Sequence, residues 1–271
     1  MAQRTQFLNL SEGRVAYDQR GDGPLLICAP GMGDLRSVYR FVASPLAEAG
    51  YRVVLMDLRG HGESDATFSQ YDDTAVGHDL VTLTQTLGGP AIIIGNSMSA
   101  GAAVWAAAEA SERIAGLVLI GPFVRNVPIS TLARSAFWLA LQRPWGPTAW
   151  SSYYRRLYPG QPPQDLATHQ AAIRASLARP AHWRAFVATT HTSHEPAEHR
   201  LAKVSKPTLV VMGARDPDFQ NPSAEAQWIA NRLSGQVVMI DNAGHYPQAG
   251  YPDQVTSAVL SFLKEAGLAT R

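Results

Sequence analysis

The sequence has little cysteine and almost no excess of charge of either sign. Its single cysteine, Cys28, excludes an internal disulfide and is typical of a protein kept in a reducing compartment. Because Cys28 lies in the apolar run 25–29, we expect a packed and unreactive thiol. A formal net charge of +1 over 271 residues argues against a general nucleic-acid binder.

Long apolar runs are also missing. No run reaches the length that spans a bilayer, and the first residues lack the apolar core of a signal peptide. We therefore expect a cytoplasmic protein without a membrane partner. The composition, 46% hydrophobic and 17% charged, predicts a globular chain that forms one domain with an insertion or two domains. A monomer and a homo-oligomer are equally open.

Short apolar runs alternate with helical patterns through most of the sequence. The runs predicted as buried strands are 25–29, 52–56, 91–94, 116–120, 208–212 and 236–240. An opening β-hairpin is predicted over 7–18. This alternation predicts an α/β fold, with a mostly parallel central sheet flanked by helices on both faces.

The alternation stops after residue 121 and resumes at residue 205. The stretch between has no convincing buried strand and is typical of short helices interrupted by prolines. We predict an inserted helical cap, here called the cap segment (residues 122–204). The core is then built from residues 1–121 and 205–271.

One serine lies where a predicted strand changes directly into a predicted helix. The residues two before and two after Ser97 are Gly95 and Ser99, both small. Small residues are required there because larger side chains would collide in so tight a turn. The pattern predicts a nucleophile elbow that presents the Ser97 hydroxyl above a helix N-terminus.

A serine nucleophile needs a base, and the base needs a carboxylate to orient it. Asp216 follows the predicted strand 208–212, and His245 follows the strand 236–240. Because such loops meet at the carboxyl edge of a parallel sheet, we predict that both side chains reach Ser97. Asp218 is the rival to Asp216; we expect it to cap the turn or to border the pocket.

These motifs together resemble the serine hydrolases of the α/β-hydrolase fold. The likeness covers nearly the whole chain outside the cap segment, and it includes a typical family loop at 57–64. It implies an α/β-hydrolase core, an acyl-enzyme on the serine, and no cofactor or metal. Two departures lie at the elbow, where Ser99 replaces the usual second glycine and Asn96 replaces the usual histidine.

The resemblance also implies an oxyanion hole and a substrate pocket. The backbone N–H groups of Met98 and Met32 are the expected oxyanion donors, and Pro30 stands where the family commonly has histidine. The loop loses a stabilising side chain by this change but keeps the backbone donor. The predicted substrate-binding residues are Gly31, Phe123, Trp138 and Tyr246.

Other polar residues have simpler interpretations. Asp57 is expected to hold a turn together with Arg59, and His61 is expected to be a loop or surface residue. The spacing of His191 and His194 invites a metal ion, but no second cluster completes the coordination. We expect no metal site.

Three functions remain open from the sequence. The first is hydrolysis of a small-molecule carboxylic ester or related acyl compound through Ser97. The second is carbon–carbon bond hydrolysis, because the sequence 95–98, Gly-Asn-Ser-Met, resembles the elbow of hydrolases acting on aromatic ring-fission diketones. The third is a ligand receptor with slow turnover, since the elbow also resembles that of plant hormone receptors built on this fold.

Overall fold

The computed structural model describes residues 4–127 and 130–270, without the side chains of residues 133 and 134. The strands in these residues are β1 Gln6–Leu10, β2 Gly13–Arg20, β3 Leu25–Ala29, β4 Arg52–Met56, β5 Ala91–Asn96, β6 Ile114–Ile120, β7 Thr208–Gly213 and β8 Gln236–Ile240. The α-helices are α1 Arg40–Glu48, α2 Asp73–Leu87, α3 Met98–Glu109, α4 Thr131–Ala140, α5 Gly146–Arg156, α6 Leu166–Ala178, α7 Pro180–Thr189, α8 Glu195–Glu198, α9 Pro222–Leu233, α10 Pro247–Gly250 and α11 Pro252–Glu265.

The strands form one sheet in the order β1-β2-β4-β3-β5-β6-β7-β8. Strands β1 and β2 form the predicted hairpin, and β2 pairs antiparallel with β4. All other neighbours pair in parallel. The predicted α/β class with a mostly parallel sheet is confirmed.

The central strands are apolar on both faces because helices cover both faces. In β3, Leu25 and Ile27 pack into the hydrophobic cluster on one side of the sheet. Leu26 and Cys28, which alternate with them, pack into the cluster on the other side. Burial raises the pKa of the Cys28 thiol, as expected for an unreactive cysteine.

Local signals set the helix ends near the site. Helix α2 begins after Asp72, whose carboxylate accepts a hydrogen bond from Ala75 N at 2.9 Å, and it ends at Gly88 with φ of 81°. Strand β5 ends at Asn96 and helix α3 begins at Met98, so the connection between them is as short as one residue. The single residue between them is Ser97.

Between β6 and β7 the described residues form helices α4 to α8 and no strand. Trp150 of α5 packs against Phe186 of α7, with ring centroids 4.7 Å apart. The Trp150 indole also donates a hydrogen bond to Gly33 O at 3.2 Å. The helices therefore pack over the loop after β3. The bounds 122–204 for the cap segment stay a prediction.

In the described part of the chain, no helix is both long enough and apolar enough to cross a membrane. The expectation about a signal peptide also concerns residues 1–3, which lie outside the described residues.

Candidate active site

Ser97 lies in the strained turn that the sequence predicts. Its φ of 58° and ψ of −123° are unusual for a residue other than glycine. Backbone hydrogen bonds hold the turn, from Ser97 N to Ile120 O at 2.9 Å and from Phe123 N to Ser97 O at 3.2 Å. Strand β6 and the chain that follows it thus fix the serine backbone from one side.

The small neighbours of Ser97 are required by close backbone contacts. A Cβ on Gly95 would lie 2.5 Å from Ser99 O, and this contact could be relieved only by moving the backbone of α3. A Cβ on Gly31 would lie 2.9 Å from the Ser97 Cβ. Gly31 thus allows the loop after β3 to pass directly beside the serine.

Asn96 and Ser99, the two departures from the usual elbow pattern, both make buried hydrogen bonds. The Asn96 amide donates to Ile120 O at 3.0 Å and to His245 O at 3.3 Å. The Ser99 hydroxyl donates to Pro30 O at 2.5 Å. Asn96 therefore ties the elbow to the histidine loop, and Ser99 ties it to the loop after β3.

Asp216 and His245 lie together although 29 residues separate them in the sequence. Asp216 follows β7, His245 lies in the loop after β8, and both side chains are buried. His245 Nδ1 donates to Asp216 Oδ2 at 2.7 Å. This bond fixes the tautomer that leaves Nε2 free to accept a proton.

Asp218 is the outer of the two carboxylates near His245. Its Oδ2 lies 3.6 Å from His245 Nδ1, beyond hydrogen-bond distance, and its N donates to Asp216 Oδ1 at 3.0 Å. Asp216 therefore orients the imidazole. Asp218 lines a cavity of about 300 Å³ and accepts a hydrogen bond from the phenol of Tyr153 in α5.

The two carboxylates set the protonation of the imidazole. Burial alone would lower the pKa of His245, but the charges of Asp216 and Asp218 outweigh it and raise the pKa to about 9. Burial raises the pKa of Asp218 as well, and the nearby Asp216 carboxylate adds to that rise. The two carboxylates thus stabilise the imidazolium that forms when His245 takes a proton.

Ser97 and His245 border the same cavity of about 300 Å³, here called the first lobe. Among the described residues, Ser97 Oγ makes no hydrogen bond to the imidazole, nor does His245 Nε2 have a partner. Such bonds are often long in unliganded enzymes and shorten when substrate binds. The shared cavity places the serine hydroxyl and the imidazole where a bound substrate can contact both.

The N–H groups of Met32 and Met98 donate to no other described residue. Met98 is the first residue of α3, where an N–H has no partner within the helix. Met32 borders the first lobe, next to Gly31. Both amides are available to a developing negative charge near Ser97.

His61 lies in a loop, as expected, but it is not a surface residue. Its side chain is buried, with Nδ1 donating to Arg59 O at 2.8 Å and Nε2 accepting from Gly33 N at 3.0 Å. Burial lowers the pKa of His61 to about 4, so the ring stays neutral and remains an acceptor. His61 therefore supports the loop after β3, in which Pro30 stands in place of the family's usual histidine.

Asp57 holds its turn as expected, but not with Arg59. Its carboxylate accepts hydrogen bonds from Arg36 N at 2.8 Å and Glu63 N at 3.0 Å. Arg59 instead pairs with Asp79 of α2 at 2.6 Å. The hydrogen bonds of Asp57 and the ion pair between Arg59 and Asp79 both brace the 57–64 loop that carries His61.

The predicted substrate-binding residues divide between two cavities. Phe123 and Tyr246 line the first lobe, whereas Trp138 lines an adjoining cavity of about 390 Å³, here called the second lobe. Gly31 lies beside Ser97 without lining either lobe. Residues common to both lobes are Met32, Phe123, Val127, Phe137 and Thr190.

Several buried polar contacts of the cap segment have no signal in the local sequence. His169 Nε2 contacts Asp34 Oδ1 at 2.7 Å, and Tyr154 donates to Asp34 Oδ2 at 2.9 Å. Asp34 and His169 are 135 residues apart, so no local pattern could pair them. These contacts hold α5 and α6 over the loop that contains Met32.

The described residues offer one cluster of metal-ligand type. Asp216, Asp218 and His245 present potential ligand atoms within 4.8 Å of one another. The imidazole nitrogen that points at these carboxylates already donates to Asp216. The geometry is that of an acid–base pair, and the expectation that no metal or cofactor is needed stays a prediction.

Known proteins resemble this chain over most of its length. A 2-hydroxy-6-oxononadienedioate/2-hydroxy-6-oxononatrienedioate hydrolase of Klebsiella pneumoniae is 28% identical, over 98% of this chain and 97% of that protein. A 2-hydroxy-6-oxo-6-phenylhexa-2,4-dienoate hydrolase of Burkholderia cepacia is 26% identical, over 94% of this chain and 92% of that protein.

Structural similarity is as extensive. The crystal structure of a hydrolase from Pseudomonas aeruginosa superposes with a TM-score of 0.79 at 24% identity, covering 97% of this chain and 99% of that one. The family model described as the alpha/beta hydrolase family matches residues 26–258, which include the elbow and the loops of Asp216 and His245. The chain therefore belongs to the alpha/beta hydrolase family and is an enzyme, as the sequence motifs predict.

Proposed function

We propose that this enzyme hydrolyses a carbon–carbon bond next to a ketone in ring-fission-type vinylogous diketones, with Ser97 as nucleophile. The observation that carries the proposal is the Asp216–His245 hydrogen bond of 2.7 Å at the edge of the cavity that Ser97 also borders. Hydrolase relatives matched over nearly their whole length support this substrate class. Ester hydrolysis, the first expectation from the sequence, has less support from them.

In the proposed reaction, the Ser97 oxygen attacks the ketone carbon while His245 Nε2 takes the hydroxyl proton. Asp216 stabilises the imidazolium that forms. The N–H groups of Met32 and Met98 would bind the ketone oxygen as it becomes negative. Each such donor is worth about 3–4 kcal/mol of barrier lowering.

The bond between the ketone carbon and the neighbouring C5 then breaks in the keto tautomer of the substrate, in which the proton of the 2-hydroxyl has moved to C5. The electron pair passes through the C3–C4 double bond to the C2 carbonyl oxygen, which takes a proton, and the ketone carbon stays on Ser97 as an ester. Water activated by His245 hydrolyses this acyl-enzyme and restores the serine. For 2-hydroxy-6-oxo-6-phenylhexa-2,4-dienoate the balance is one water consumed, with benzoate, a proton and 2-hydroxypenta-2,4-dienoate released.

Steady-state kinetics test the proposal. The wild-type enzyme should cleave this phenyl dienoate with a higher kcat/KM than p-nitrophenyl acetate. Ser97→Ala should lose both activities by about a thousandfold or more while the fold is retained. If p-nitrophenyl acetate is the better substrate and the dienoate is left intact, the enzyme is an esterase. If Ser97→Ala keeps full activity, the serine mechanism is wrong.

A further inference from the structure

His194, which lines the second lobe, belongs to a second aspartate–histidine pair. Asp73 of α2 is fully buried, and its Oδ2 contacts His194 Nδ1 at 2.7 Å. Its other carboxylate oxygen has no hydrogen-bond partner within the residues described. Gly101 of α3 admits the carboxylate, because a Cβ there would lie 2.5 Å from Asp73 Oδ2. Among the described residues, His194 is thus the one side chain that hydrogen-bonds this buried carboxylate.

His194 is held rigidly at the wall of the second lobe. Its side chain is buried, and its backbone N donates to Asn126 Oδ1 at 2.9 Å. Since Nδ1 is bonded to Asp73, Nε2 is the nitrogen left for a ligand, and it has no partner elsewhere in residues 4–127 or 130–270. The Thr192 hydroxyl, on the same wall, is also buried and unpartnered.

Both imidazoles lie near the same aromatic ring. The Phe123 ring centroid is 5.6 Å from that of His194 and 6.0 Å from that of His245. Phe123 borders both lobes, so a ligand that lies across it can contact both histidines. One extended molecule can therefore fill the two lobes at once.

The two lobes differ in chemistry. Beyond the residues that they share, the first lobe adds four large side chains that suit an apolar group next to the proposed catalytic residues. These are Trp150, Tyr153, Leu157 and Tyr246, beside Ser97, Asp218 and His245. The second lobe adds side chains with hydrogen-bonding atoms, which are Asn126, His191, Thr192, Ser193 and His194. This difference predicts a ligand with one apolar and one polar end.

We propose that His194, held by Asp73, determines specificity by binding a substrate carboxylate in the second lobe. The proposal rests on the proposed function only in taking the substrate as the ligand. In the proposed complex the imidazolium of His194 lies between two carboxylates, with Nδ1 donating to Asp73 Oδ2 and Nε2 facing the ligand. The ligand then receives a charge-assisted hydrogen bond from Nε2.

Binding measured in a Ser97→Ala background tests the proposal without turnover. The two probes are 2-hydroxy-6-oxo-6-phenylhexa-2,4-dienoate and its primary carboxamide, which differ in the charge of one group. Titration calorimetry should give the acid at least about tenfold tighter binding than the amide. Adding His194→Gln or Asp73→Asn should weaken the acid about tenfold and leave the amide within about twofold.

The matched control is His199→Gln, an exposed histidine of the same segment that borders neither lobe. It should change neither affinity. Asp73→Asn keeps the shape of the buried side chain, so it gives the same test if His194→Gln does not fold.

Several results would overturn the proposal. These are equal losses for acid and amide, unchanged discrimination in both variants, or no binding of the acid at all. Equal losses would mean that the pair only fastens the cap segment to α2. A different result separates the two proposals. If the acid binds more tightly than the amide and this preference is lost in His194→Gln, but the wild-type enzyme cleaves no diketone, the proposed reaction is wrong and the carboxylate subsite is retained.

Discussion

Tyr153 donates a hydrogen bond from its phenol to the carboxylate of Asp218, and so joins α5 to the loop that carries Asp216. The other oxygen of Asp218 lies 3.6 Å from Nδ1 of His245. The packing of the cap segment is thereby coupled to the electrostatics of the proposed base. A cap that moved Tyr153 would change the charge that His245 experiences.

Replacing Asp218 should shift the pH dependence of the enzyme. The charges of Asp216 and Asp218 outweigh burial and raise the pKa of His245 to about 9, so the neutral base dominates only at higher pH. Asp218→Asn removes one of these charges. The ascending limb of kcat/KM against pH should therefore move to lower pH, by about one unit.

The control for this shift is Tyr153→Phe, which removes the phenol but leaves both carboxylates. It should move the limb much less than Asp218→Asn does. An ascending limb that stays in place in Asp218→Asn would show that the outer carboxylate does not act on His245.

His61 should make the fold sensitive to mild acid. Burial lowers its pKa in the folded state to about 4, against an ordinary value of 6.5. The unfolded chain therefore binds more protons between these two values, and the free energy of unfolding falls as the pH drops from about 6.5 to about 4. At pH values well above 6.5, His61 is neutral in both states, and the free energy of unfolding no longer depends on its protonation.

Urea unfolding of wild type and His61→Gln at several pH values measures this effect. The variant should be less stable at neutral pH, because Gly33 N loses its acceptor. Its stability should also fall less steeply between pH 6.5 and 4 than that of the wild type. Parallel curves for the two proteins would rule out His61 as the titrating group.

Gly95→Ala should be strongly destabilising. The added Cβ would lie 2.5 Å from Ser99 O, and relief requires the elbow backbone to move. Overpacking of this kind costs about 1–3 kcal/mol, and here it should lower kcat as well, because Ser97 moves with the turn.

Gly116→Ala, in the adjacent strand β6, is the matched control for Gly95→Ala. Its Cβ would meet the end of the flexible Leu268 side chain at 2.8 Å, which can rotate away. Its melting temperature should fall less than that of Gly95→Ala, and its kcat should be retained. Equal losses in the two variants would contradict a special constraint at the elbow.

Much of the core could be predicted from local sequence. The buried strands are continuous apolar runs, and a parallel sheet brings the ends of β5, β7 and β8 to one edge. The positions of Ser97, Asp216 and His245 follow from that topology alone. The need for small residues at Gly95 and Ser99 likewise follows from the tightness of the turn.

Contacts between distant segments could not be predicted. His61 lies in a glycine-rich loop typical of the surface, and its acceptor role depends on Gly33, 28 residues away. Asp73 and His194 are 121 residues apart, and the spacing of His191 and His194 suggests a metal ion rather than a contact with Asp73. Trp138 was expected in the pocket of Ser97 but lines the second lobe, because cap helices follow no pattern that specifies their docking.

Mass spectrometry of the reacting enzyme tests the central claim most directly. During rapid-quench turnover of 2-hydroxy-6-oxo-6-phenylhexa-2,4-dienoate, the account predicts a benzoyl group on the peptide that contains Ser97. The adduct should be absent in Ser97→Ala and strongly reduced in His245→Ala. Benzoate formed at the wild-type rate by Ser97→Ala, or a benzoyl group on another residue, would contradict it.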